Sequence, residues 1–200
     1  MTIKQIRANA AELEQLASEW LALPQTLQGI DLAMAEAATM KKVRAYFKGL
    51  PKDLSPGQVK AAIRVTYLAG VDSSSKIIKG REQGFASMVL YLSPASSSGV
   101  NVCSEASAGC IAACLNVSGR NLMERNAGRS HIATSRLKKT WLVVFRRDLA
   151  NIALKSEIAK NRAKATRAGL KFAVRLNGTS DLDFTDIFTS HPEVQFYDYT

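Results

Sequence analysis

Three short apolar runs alternate with helical stretches in the second half of the chain, and that alternation constrains the fold more than any other feature. "FASMVLYLSPA", Phe85 to Ala95, is apolar and bounded by Gly84 and Pro94, so it reads as a buried strand. A basic helical stretch from Ser130 to Ala168, with a break expected near Arg147 and Asp148, ends at Gly169, a natural helix stop. "LKFAVRLNGTSD" then reads as a second strand running into a turn, "DFTDIFTSHP" as a short helix and "VQFYDYT" as a third strand. Strand, helix, strand, helix, strand predicts parallel pairing through crossovers. The fold class is therefore α/β, either a partial parallel (β/α) barrel or an open sheet.

Before that lies a region with a helical pattern. Ile3, Ile6, Ala10, Leu13, Leu16 and Trp20 recur at three- and four-residue steps, which predicts an amphipathic helix from Thr2 to Leu23, ended by Pro24. A second helix is expected over Leu27 to Phe47. A third is expected to start at Ser55, with Pro56 in its first turn, and to stop at Gly70. "SPGQ" gestures at a helix-turn-helix unit, but nothing fixes a recognition helix, so these helices are read as packing elements. "DSSSKIIKGREQG" has the composition of a polar connector. It divides the chain into a helical region over residues 1–79 and an α/β domain over residues 80–200. The chain stops at Thr200, directly after the third strand. Either the N-terminal helices cover that edge, or the natural protein continues and this chain is shortened at its C-terminus.

Lys4, Arg7, Glu12, Glu14 and Glu19 interrupt the start of the chain. No uncharged apolar run approaches the ~20 residues that span a bilayer, which predicts a soluble, cytoplasmic protein without membrane partners. The charge is lopsided: 27 basic against 17 acidic residues leave a formal net charge of +10. Between Arg120 and Arg175, fifteen Lys and Arg face only Glu124, Asp148 and Glu157. Such a surface attracts polyanions by counterion release, and Arg136, Lys138, Lys139, Arg146 and Arg147 are the candidate contacts to DNA or RNA. The bland alternative is a solvated helix face.

In parallel α/β folds, functional groups gather in loops at the carboxyl ends of strands. The first strand here leads to Cys103, Cys110 and Cys114. The second leads to Asn177, Gly178, Thr179, Ser180 and Asp181, and the third to Tyr197, Asp198 and Tyr199. The cysteine spacing places Cys110 and Cys114 one helical turn apart, with Cys103 reaching in from the loop. Three thiolates of this kind suit three irons of a [4Fe-4S] cluster, leaving the fourth iron open. Zinc would need a fourth ligand from His131 or His191. Simple packing and redox chemistry, including a Cys103–Cys110 disulfide, also stand. The polar turn suits an amino acid-like or sugar-like ligand. It equally suits a helix cap, with Ser180 or Asp181 capping a helix that begins near Leu182. The aromatics of "FYDYT" fit either stacking on a base or an ordinary half-buried strand.

"GFASMVLYLSPASSSGVNVCSEASAGCIAACLNVSGR", followed at a distance by "RLNGTSD" and "VQFYDYT", resembles the phage gene product 88 family over residues 84–200. The resemblance implies a phage or prophage protein working inside a bacterial host cell, and it brings no activity with it. It also implies a longer chain, since members of that family run on past "FYDYT". The layout is similar too to radical S-adenosylmethionine enzymes, in which a partial barrel holds a cluster after strand one and a turn after strand two binds the cofactor. That likeness implies Cys103, Cys110 and Cys114 as cluster ligands and Asn177 to Asp181 as the S-adenosylmethionine contact. The spacing departs from that superfamily's usual C-x3-C-x2-C. Two function classes follow: an iron-sulfur enzyme acting on nucleic acid or nucleotide, and a non-catalytic binder of nucleic acid or of a host protein whose cysteines pack or hold zinc.

Overall fold

The structure is a computed structural model and describes residues 2–71, 75–114 and 119–198. The N-terminal layer begins with helix α1 (Ile3–Thr26), opened by a capping box in which Thr2 and Gln5 satisfy each other's backbone N–H. Pro24 does not end this helix. It sits in the last turn, where its missing N–H removes one bond, and the Leu27 N–H still reaches the Leu23 carbonyl at 3.0 Å. Helix α2 (Gly29–Lys48) follows.

Helix α3 (Pro56–Ala62) starts at Ser55 as its cap-and-proline signature predicts, with Gln58 completing a second capping box. It stops well short of Gly70, because Arg64 adopts a left-handed backbone with φ of 49° and turns the chain. Gly70 instead lies in a short strand, β1 (Ala69–Val71). The polar segment expected to be a connector contains helix α4 (Ser75–Glu82), which packs beside strand β2 (Phe85–Leu90). The expected boundary at residues 79 and 80 falls inside α4.

After β2 come α5 (Ala108–Ala112), α6 (Gly119–Asn126), α7 (His131–Phe145) and α8 (Arg147–Arg167). The basic stretch is broken at Arg146, one residue from the expected break, and Gly169 stops α8 with φ of +69°. Strand β3 (Lys171–Arg175), helix α9 (Thr185–Ser190) and strand β4 (Gln195–Phe196) complete the described fold.

The sheet is open and four-stranded, in the order β1-β2-β3-β4. β2, β3 and β4 are parallel, in the register Phe85 to Lys171, Val89 to Arg175 and Val174 to Phe196. β1 adds antiparallel, Ala69 opposite Leu90. α8 lies against β1, β2 and β3, while α1 packs on α2, α3 and α7. One buried cluster runs through both layers, from Ile6 and Leu13 through Phe47 and Trp141 to Leu154, Met88 and Val174. Glu157, a buried carboxylate of α8, fixes β1 by accepting the Leu68 and Ala69 N–H groups at 3.0 Å and pairing with Lys60 at 3.3 Å. Among the described residues no helix is long and apolar enough to cross a membrane.

Candidate functional site at the carboxyl end of the sheet

Parallel register brings the ends of β2 and β3 to the same edge, so the loops that follow them meet. The first loop is anchored by two indoles. Trp20 donates to the Ser97 carbonyl and Trp141 to the Ser98 carbonyl, each at 2.9 Å, and the rings meet edge to face with centroids 6.3 Å apart. Gly99 permits this packing: a Cβ there would stand 2.6 Å from both Trp20 and Met40 side-chain carbons.

The loop then delivers Cys103. Its sulfur accepts from the Ala95 N–H at 3.2 Å and donates to the Thr179 carbonyl at 3.6 Å, joining the cysteine loop to the turn after β3. Burial pushes the Cys103 thiol up. The neighbouring Cys114, Cys110 and Asp181 add to that push, and the Ala95 N–H opposes it. Cys110 lies on α5, whose cap is the Ser107 hydroxyl, and Cys114 follows just after the helix. Nothing on α5 is buried, and Cys110 is exposed. A pure packing role therefore does not account for Cys110. All three cysteines are free thiols, so the Cys103–Cys110 disulfide is absent.

The polar turn is bound into the chain. The Gly178 N–H donates to the Leu90 carbonyl at 3.0 Å, and a Cβ at Gly178 would meet that same oxygen at 2.6 Å. The Thr179 hydroxyl donates to the Leu92 carbonyl at 2.6 Å and accepts from its N–H at 3.0 Å. Asn177 accepts from the Ser180 hydroxyl and the Leu182 N–H. These bonds continue the β2–β3 pairing with side chains. Asp181 alone turns its carboxylate to solvent, beside Cys103. Neither Ser180 nor Asp181 caps a helix: α9 begins at Thr185, and Asp183 holds the Thr185 N–H at 2.8 Å. A bond from the Thr185 hydroxyl, and after it that N–H bond, draws the Asp183 carboxyl below its usual range.

After β4, Phe196 packs on Phe188 with centroids 4.7 Å apart, and Asp198 accepts from Arg175. Tyr199 lies outside the described residues.

The five candidate nucleic-acid contacts are engaged with the fold: Lys138 and Lys139 are buried, and Arg136, Arg146 and Arg147 are partly buried. Arg136 lies over the Tyr91 ring at 5.1 Å, and burial lowers its pKa although Tyr91 and Cys114 favour the cation. It therefore belongs to the cysteine loop's surroundings, which its place in a basic run did not signal. Lys138 is buried and paired with Glu14. Lys139 is buried over the Tyr67 ring at 4.8 Å. Arg146 donates to the Phe47, Leu50 and Pro51 carbonyls, closing the end of α2. Arg147 covers the Phe184 ring and donates to the Asp183 carbonyl and to Asp186.

As a metal centre, the donor chemistry suits a thiolate-bound group, but the arrangement is open. Among the described residues no three His, Cys, Asp or Glu side chains are gathered to hold a metal ion. His191 turns to Glu193, and His131 is exposed at the start of α7.

The fold and this loop cluster define an α/β protein with its chemical groups at the carboxyl ends of the parallel strands of a short mixed sheet. The model of the Gene product 88 family matches residues 68–200, and the chain belongs to that phage family. No curated protein and no solved structure matches.

Proposed function

We propose that this phage protein binds a [4Fe-4S] cluster through Cys103, Cys110 and Cys114 and acts, in the manner of a radical S-adenosylmethionine enzyme, on nucleic acid or nucleotide. The observation that carries the reading is α5, a helix without one buried side chain that holds an exposed cysteine next to a loop locked onto the sheet. Ligation requires α5 to close on Cys103, and α5 has no packing to lose in doing so. A cluster held by three thiolates keeps one iron open to a cofactor or substrate. Within the Asn177–Asp181 turn, the exposed Asp181 is the group we assign to a cofactor amino group. The others shape the turn. Arg136 supplies positive charge beside the thiolates.

The test is iron and acid-labile sulfide per chain after anaerobic reconstitution. Roughly four of each, lost in Cys103→Ser, Cys110→Ser and Cys114→Ser, supports the reading. Iron content that ignores all three substitutions overturns it.

A second reading, a non-catalytic nucleic-acid binder, is favoured by the exposed Lys160, Lys164 and Arg167 on the last turns of α8. It predicts affinity that falls steeply with salt and with neutralisation of these three. Neutralising Lys138, Lys139, Arg146 and Arg147 would not test it, because those side chains hold the fold together.

A further inference from the structure

A cleft of about 810 Å³ opens between the C-terminal half of α1, the loop after β2, and α6 with the turn behind it. Its volume lies within the ~300–1,000 Å³ of small-molecule sites. No cysteine lines it, so it is a different place from the thiol loop and stands whether or not a cluster is bound.

Its chemistry is one-sided. Arg125 and Arg129 are the charged groups in its wall, and both are exposed. Of the carboxylates beside the lining residues in sequence, Glu124 accepts the Ile132 N–H at 3.0 Å and Glu19 accepts from the Gln15 amide at 2.9 Å. Ser93 and Ser97 line it from the loop after β2, with the Ser97 hydroxyl donating to the Pro94 carbonyl, and the largely buried Trp20 shows the cleft only an edge of its indole, whose N–H is committed to the Ser97 carbonyl. Two guanidiniums match phosphate oxygens in a bidentate fashion, and an indole edge with neighbouring hydroxyls suits a flat polar ring.

We infer that this cleft binds a phosphate ester of nucleotide size, with Arg125 and Arg129 on the phosphate and Trp20 beside the base. The phosphate belongs either to a free nucleotide or to a nucleic-acid strand.

The test is titration of the full chain with a deoxynucleoside monophosphate, its parent nucleoside and a phosphorylated single-stranded oligonucleotide, followed by tryptophan emission and calorimetry. Saturable binding of the phosphorylated probes, weakened about tenfold by Arg125→Ala and again by Arg129→Ala, is expected. Both arginines are exposed, so melting temperature should not move, and Arg129→Gln provides a second variant of the same charge change. Saturation by the mononucleotide assigns a free nucleotide, and saturation by the oligonucleotide alone assigns a strand. Equal binding of the nucleoside, arginine variants that bind like the natural chain, or an equal loss in Lys160→Ala would overturn the inference. Iron content should be unchanged in the arginine variants, which separates this site from the cysteine reading.

Discussion

The turn after β3 and the helix after β2 sit at the same edge of one sheet, yet they differ in what the fold does with their chemical groups. In Asn177 to Thr179 nearly every polar group is bonded to the chain, to Leu90, Leu92 or Leu182. On α5 no side chain is buried, and Cys110 faces solvent. A polar loop that is fully bonded internally is architecture, whereas a chemically reactive residue without packing or partners is where ligand chemistry has room to occur.

The sharpest way to break this comparison is Gly178→Val, which drives a side chain into the Leu90 carbonyl and Val89. The expected loss is ~3 kcal/mol in urea unfolding, and a neutral result would show that the turn is not locked. Thr179→Val comes next: it leaves the Leu92 N–H and carbonyl unpaired in a buried place, at a cost of about 2 kcal/mol by the same measurement.

The buried basic layer gives a pH test. Burial pushes Lys139 from its ordinary 10.5 down to about 8, against the pull of Glu157. Between those values the unfolded chain holds the extra proton, so stability should rise with pH by about 1 kcal/mol from pH 8 to 9, a rise that Lys139→Met should lose. Cys103, whose thiol is pushed up by burial, works in the opposite direction above its ordinary value of 9.0, and Tyr46, also held protonated by burial, above 10.0, so the window closes near pH 9. The smallest effect is expected at Cys110→Ser, below ~0.5 kcal/mol in stability, because the residue is exposed. A large loss there would make α5 a packed element and remove the contrast with the turn.

Much of the fold was legible. The apolar runs marked β2, β3 and β4, the Ser55 and Pro56 pair marked the start of α3, and Gly169 marked the end of α8, because strand burial, caps and left-handed stops are local. The misses share a cause. Pro24 and Gly70 were read as stops from their type alone, but a late proline costs a helix one bond, and β1 exists because Glu157, far away in sequence, receives its N–H groups. At the candidate site the loops and their cysteines could be named from spacing, while the Cys103 bond to Thr179 could not, since it joins residues 76 apart.

The sequence by itself determined the family, the α/β alternation and the three thiols on one loop, all consequences of local pattern and residue type. Only the tertiary structure decided what each polar group faces. It placed Lys138 and Lys139 inside the fold and Arg146 partly so, spread Arg125 and Arg129 along an open cleft, and left Cys110 uncovered. A charge or thiol acts through its neighbours and its solvation, and those are set by elements that meet only after the chain has folded.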